Sequence, residues 1–467
     1  GIVISGLSME GVITGFLPEP GRQRDTGYGG ESGAGGGLPA PDGGFGSLEE
    51  AAVEYAYGIG GIFGYAWIGR EGEGDGVQVA GCSNHADITG NLFTGGIGGS
   101  LKGGYVSQGA DSPVSMSACF NDGMVLCSAG HQDGEGLLEG RCFGGILGYG
   151  NGARIDDSVN ASRCRDIYDD TKKESLLLGQ YVGGIIGYGY NSRLAGCSTR
   201  KGSYVLGSDY VGGIAGGLSN DLKEAITAGI TVTVNGGYVI GNRYVGGIVG
   251  KNDGPRPTTI ANCVNNGVAA GYDRYVGGIV GYNGKNGILM DCASYLSDYD
   301  GSIFRTIVED WKAAGDCAGG LAGYNNGKVE FTAGSWIIQV KSVSGIVVGG
   351  DFVGGIIGFN DVDGLLDVHY TLIGGRIYGY GDGVGGCIGL NASPEILDKE
   401  LSVQPVSVTG HYFVGGCIGA NVVDIEADMS MTGFRADNRL GNIEGAAFTG
   451  GVIGYQRTYT EGQLEQA

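Results

Sequence analysis

Basic residues, histidines and long apolar runs are all scarce in this chain. Lysine and arginine total 28 against 50 acidic residues, a formal charge of −22. That balance repels a phosphate backbone and excludes nucleic acid as a partner. No stretch approaches the ~18 apolar residues of a membrane span, and no signal peptide is visible. The four histidines, His85, His131, His369 and His411, are scattered and none lies in a His-Glu-x-x-His motif. No phosphate loop ending in Gly-Lys-Ser/Thr and no nucleophile elbow is present. None of the eleven cysteines forms Cys-x-x-Cys, which argues against a zinc or redox motif. A long window fit for a helix is also missing, because 102 of the 467 residues are glycine.

What the chain has is a repeat. The stretch Tyr275 to Asn283, Tyr-Val-Gly-Gly-Ile-Val-Gly-Tyr-Asn, recurs about twelve times, at intervals of 29 to 49 residues centred near 35. The residue after each Gly-Gly is nearly constant in type: Ile62, Ile97, Ile146, Ile185, Ile214, Ile248, Ile279, Leu321, Ile356, Cys387, Cys417 and Val452. One β-branched apolar residue per period points to a strand contributing to a continuous core. The fold class expected is all-β, a single-stranded parallel β-solenoid of about twelve coils. Coils ~4.8 Å apart would span roughly 55 to 60 Å. Right-handed winding follows the preference of parallel crossovers. The glycines are expected to mark a bend, in part by supplying positive φ. The position after the isoleucine is mostly apolar too. Either the backbone bends so that both side chains point inward, or an outer apolar strip is covered.

Three segments are expected. Residues 1–46 hold an N-terminal strand with no evident local partner and a Gly/Pro-rich linker. Residues 47–58 form a short capping helix, with Ser47 and Glu50 as a capping box. Residues 59–467 are the solenoid. Residue 1 is glycine, which reads as part of a longer product, and no terminal cap is evident after Tyr455.

Candidate ligand-facing aromatics precede Val-Gly-Gly: Tyr181, Tyr210, Tyr244, Tyr275, Phe352 and Phe413. A second series follows as Tyr149, Tyr188, Tyr282, Tyr324, Phe359 and Tyr455. Both series read as stacked ladders, with a carbohydrate platform as the functional alternative. Asparagines near Asn84 and Asn265 read as an amide ladder or a turn. Cysteines at coil spacing, such as Cys263 with Cys292 and Cys387 with Cys417, read as buried thiols rather than disulfides. Asp361-Val-Asp363-Gly364 and Asp298-Tyr-Asp300-Gly301 begin like calcium loops but lack the closing glutamate. The acidic pairs Asp156-Asp157, Asp169-Asp170 and Glu309-Asp310 carry no catalytic geometry on a strand. No cofactor, metal or catalytic residue is expected.

The segments Val276 to Gly284, Ala318 to Gly327, Val353 to Asn360 and Val182 to Gly189 resemble the GLUG repeat. So does the spacer Asn262 to Gly267. That repeat occurs in large exported proteins of Gram-positive bacteria, including non-catalytic regions of IgA1-protease type metallopeptidases. The resemblance covers roughly residues 60 to 455, and Cys387 and Cys417 depart from it. It implies an exported surface or fibre protein in bacteria and no activity. The function expected is a structural, extracellular protomer that joins copies of itself head to tail. The alternatives are an adhesin binding a glycan or a cell-surface partner, and a polysaccharide-degrading solenoid enzyme.

Overall fold

The computed structural model describes residues 2–14, 58–67, 76–90, 93–103, 114–127, 142–162, 180–221, 228–295, 315–331, 346–368, 372–373, 376–398, 402–403, 407–423 and 442–457. Within them all helix and strand assignments are β, and the sheets are parallel. The chain is a β-solenoid. One turn of it shows the plan. Thr258–Ala261 runs along a first face, Val264–Asn265 along a second, Val268–Gly277 along a third and Val280–Asn283 along a fourth. Gly287–Met290 then returns to the first face, in register with Thr258–Ala261. The sheets on these faces hold 11, 8, 13 and 12 strands respectively.

The Gly-Gly-Ile segment makes the corner between the third and fourth faces. The carbonyl of Ile214 accepts from the N–H groups of both Ile185 and Ile186, each at 2.9 Å. Ile248 accepts in the same way from Ile214 and Ala215. Two successive N–H groups aimed at one acceptor mean that the strand bends there, so consecutive side chains no longer alternate between faces. Ile185 and Ile186 are therefore both fully buried, as are Ile248 and Val249, and Ile356 and Ile357. The inward bend, not an outer cover, accounts for the paired apolar positions.

The expectation that the motif glycines supply positive φ is corrected. None of the described Gly-Gly glycines has positive φ. They are glycine because backbone occupies the place of a side chain. A Cβ on Gly246 would lie 1.8 Å from the Val249 carbonyl oxygen, and one on Gly247 would lie 2.1 Å from that of Gly278. The left-handed conformation falls instead on the preceding aromatic, with φ of 54° at Tyr244, 60° at Tyr275 and 56° at both Phe352 and Phe413. A second left-handed column turns the first face into the second, at Ala118, Asp157, Val232, Asn262 and Asp291.

The main core lies between the first face and the Gly-Gly-Ile corner. Met116, Ile155, Leu194, Ile230, Ile260 and Leu289 from the first face meet the isoleucine column there. Ile97, Ile146, Ile185, Ile214, Ile248, Ile279, Leu321, Ile356, Cys387 and Cys417 are all buried in this one cluster; Ile62 and Val452, near the two ends, are partly buried against it. Full burial of each such side chain contributes about 2 kcal/mol. The valines of Val-Gly-Gly point the other way. Val211 and Val245 pack with Val205 and Val239, and Val353, Val384 and Val414 pack with Ile377 and Val408.

The N-terminal strand has a partner, contrary to expectation. Ile2–Ser5 pairs with Val77–Ala80, Ser8–Met9 with Ser83–Asn84, and Val12–Thr14 with Asp87–Thr89. It forms part of the outermost rung, and its first strand ends the first-face sheet. The segment carries no Gly-Gly motif, so its place in the repeat was not visible in sequence. The expected helix over 47–58 lies outside the described residues, save Gly58, which carries no helix.

Candidate functional site

Two aromatic columns run side by side along the corner of the third and fourth faces. In the first, Tyr181 and Tyr210 stack with centroids 4.4 Å apart at 18°, Tyr210 and Tyr244 at 4.9 Å and 21°, and Tyr244 and Tyr275 at 5.2 Å and 26°. In the second, Tyr282 and Tyr324 stack at 4.6 Å, 3° from parallel. The columns meet edge to face, Tyr244 with Tyr282 at 82° and Tyr275 with Tyr324 at 70°. Such pairs stabilise by about 0.5–1.5 kcal/mol beyond their buried area. Strands ~4.8 Å apart in register force this spacing on any aromatic repeated at one position.

The columns compensate for one another. Where the first has Cys317 in place of Tyr275, the Tyr324 ring reaches across to Tyr275. Where the second has Lys251 in place of Tyr282, the ammonium sits 5.7 Å from the Tyr210 centroid and 5.6 Å from that of Tyr282. Asp253 holds it at 3.1 Å. Burial, then Asp253, pushes the Tyr282 hydroxyl up to about 12. Burial also raises Tyr324 well above the usual range, aided by the hydrogen bond it donates to Asp361. Both phenols keep their protons. Of the remaining candidate aromatics, Phe352 lies tilted 6.3 Å from Phe359, and Phe413 lies 4.5 Å from Tyr455. A pyranose stacks on a free ring face. From Tyr181 to Tyr324 the faces are largely covered by neighbouring rings, and the residues are half-buried to buried.

Beneath the surface run two amide ladders. On the second face Asn84 donates Nδ2 to Asn121 Oδ1 at 2.7 Å, and Asn121 to Asn160 at 2.9 Å. The same column continues with Asn235 to Asn265 at 2.7 Å and ends at Ser294. On the fourth face the last residue of Gly-Tyr-Asn builds a longer one. Asn252, Asn283, Asn325, Asn360, Asn391 and Asn421 each donate to the next at 2.8 to 3.1 Å, and Asn421 donates to Gln456. Every amide but the exposed Gln456 at the end is buried. The second ladder was not singled out in sequence. Its signal is the Asn two residues after the third glycine, present in each copy from Asn252 to Asn421.

No protein-family model, curated protein or solved structure matches this chain. The candidate chemistry must be read from the residues alone.

Nine described cysteines are buried free thiols. Burial pushes Cys119 up to about 11 and Cys197 and Cys317 up to about 12, so they are poor nucleophiles. Among the described residues no group of three or more metal-ligating side chains comes together, and no helix is long and apolar enough to cross a membrane. His85 pairs with Asp122 at 2.6 Å and His411 with Asp382 at 3.3 Å, both at the surface. Asp156 pairs with Arg154 at 2.6 Å, and Asp363 with Lys285 at 3.0 Å. His131, His369, Asp169-Asp170, Asp298 to Gly301 and Glu309-Asp310 lie outside the described residues.

Proposed function

We propose that this chain is a non-enzymatic, extracellular structural protein. Its right-handed solenoid of about twelve coils acts as a rigid spacer and joins copies of itself end to end. One observation carries this reading. Ile2–Ser5 is the outermost strand of the first-face sheet, and among the described residues nothing pairs with its outer edge. Ile2, Val3, Leu7 and Val12 of the same rung are exposed. An in-register edge with apolar side chains is a template for strand addition. The resemblance to GLUG repeats supports export and a bacterial surface location. The stacked columns support a spacer, since most of their interactions are with the next coil.

Sedimentation velocity across a concentration series, with negative-stain imaging, tests the reading. Rods lengthening in steps of roughly 55–60 Å are expected. Val3→Lys, which places a charge on the outer edge, should abolish the lengthening and leave the fold intact. A chain that stays monomeric at high concentration rules the reading out.

A further inference from the structure

The aromatic surface changes character near the end of the described chain. Tyr378, Tyr380 and Tyr412 are 39%, 46% and 37% exposed, whereas the stacked tyrosines upstream are covered. Tyr378 and Arg376 share the outward side of Arg376–Gly379, whose burial alternates along the strand. The next coil lies in register, with Tyr378 opposite Thr409 and Val384 opposite Val414. This register sets His411 and Tyr412 beside Tyr380 and Asp382. The Asp382 Oδ1 accepts from the Tyr412 N–H at 3.2 Å and lies 3.3 Å from His411 Nδ1. Tyr378 meets Tyr380 edge to face at 78°, and His411 lies tilted against Tyr412 at 3.9 Å. Among the described residues no ring in this group is sandwiched in a parallel stack.

The polar groups around these rings are open as well. Among the described residues the Arg376 guanidinium makes no ion pair, and Asp382 Oδ2 and His411 Nε2 make no hydrogen bond. Exposed ring faces flanked by unused donors and acceptors are complementary to a sugar. A sugar presents an apolar C–H face and a rim of hydroxyls that both donate and accept. The net charge of −22 disfavours an anionic ligand. The group covers two adjacent coils, about 10 Å along the axis, which suits two or three sugar rings.

We propose that Arg376, Tyr378, Tyr380, Asp382, His411 and Tyr412 form a binding site for a neutral oligosaccharide. The site does not require end-to-end assembly and stands if the chain proves monomeric.

Titration calorimetry of the whole chain with cellohexaose, chitohexaose and mannohexaose tests it, with polygalacturonate as the anionic control. At least one neutral hexamer should bind with Kd below about 1 mM. Tyr380→Ala and Tyr412→Ala should each weaken binding roughly tenfold, the loss expected of an aromatic anchor. Tyr412→Phe, which keeps the ring face, should retain affinity, and Tyr244→Ala in the stacked column should leave it unchanged. Saturation-transfer NMR on the unmodified chain should mark the C–H protons of the bound sugar, a readout that needs no variant to fold. Absence of binding by all three hexamers, preference for polygalacturonate, or equal loss from Tyr244→Ala and Tyr380→Ala would each overturn the proposal. So would a change in self-association in Tyr412→Ala without any sugar binding, which would mark a protein contact instead.

Discussion

The two halves of the solenoid solve one problem at different corners. In the first half the buried amides line the second face, from Asn84 to Ser294. The equivalent inward position on the fourth face is then apolar or glycine: Leu101, Gly150, Gly189 and Leu218. In the second half the amides line the fourth face, from Asn252 to Gln456. Among the described residues the second-face sheet ends at Ala293–Ser294. The two ladders overlap at Asn235 with Asn252 and at Asn265 with Asn283. Most of these amides also close the turn beside them. Asn84 donates to the Ala86 carbonyl, Asn121 to that of Gly123, Asn283 to that of Gly287 and Asn360 to that of Gly364. The difference teaches that the ladder belongs to the corner that needs holding and not to a particular face.

The thiols also divide between the halves, and pH separates them with the largest expected effect. Cys119 and Cys197 lie in the first half and Cys317 in the second. An unfolded thiol titrates near 8.5. Burial raises these three to about 11, 12 and 12. Below about 8.5 both states hold the proton and the contribution is complete. Above it the unfolded chain releases protons that the folded chain retains, so stability falls as pH rises. The slope is about 1.4 kcal/mol per pH unit for each thiol. Urea midpoints at pH 8 and pH 10 should show it. Replacing Cys119 and Cys197 together by Val should remove about twice as much of the slope as Cys317→Val.

Next in size come the ladders themselves. Asn360→Ala strands the Asn325 Nδ2 donor and leaves the Asn391 Oδ1 acceptor only its Ser393 N–H in a dry interior, at about 3 kcal/mol. Asn121→Ala removes the ladder partners of Asn84 and Asn160, leaving each only its own turn contact, and should cost about the same. Equilibrium denaturation measures both, and a clear inequality would break the equivalence drawn between the corners. Asn252 starts the fourth-face ladder, and its buried Oδ1 has no partner among the described residues. Asn252→Leu extends the apolar column from Leu218 and removes that acceptor, so its cost should stay within about 1 kcal/mol.

The smallest effect lies at a first-to-second-face corner. Val232 has a φ of 52° and is 64% exposed. A β-branched residue there is strained, and neighbouring coils place Gly196 and Asn262 at the same position. Val232→Asn should stabilise by about 1 kcal/mol, read as a higher melting temperature.

Much of the fold was legible because the Gly-Gly-Ile motif keeps its register wherever backbone must pass within contact of backbone. The isoleucine column, the parallel sheets and the tyrosine ladders follow from repetition at one position. Other features were hidden for physical reasons. Close approach and positive φ both select glycine, so sequence could not tell that Gly246 answers to crowding while Tyr244 carries the left-handed turn. The fourth-face ladder hid inside the best-known motif, where Asn283 reads as a turn residue. The exposed group at Tyr378 to Tyr412 differs from the stacked columns only in what covers it, which depends on neighbours in other coils.

The amide ladder hands one identical bond from each rung to its successor, always in the same direction. Asn360 meets Asn391 across 31 residues, and Asn391 meets Asn421 across 30. Excising one such segment would let Asn360 grip Asn421 as it now grips Asn391, and duplicating one would do the reverse. The length of the molecule is thus adjustable in whole units, with no adaptor to redesign, which makes it a ruler that evolution or an engineer can cut to measure.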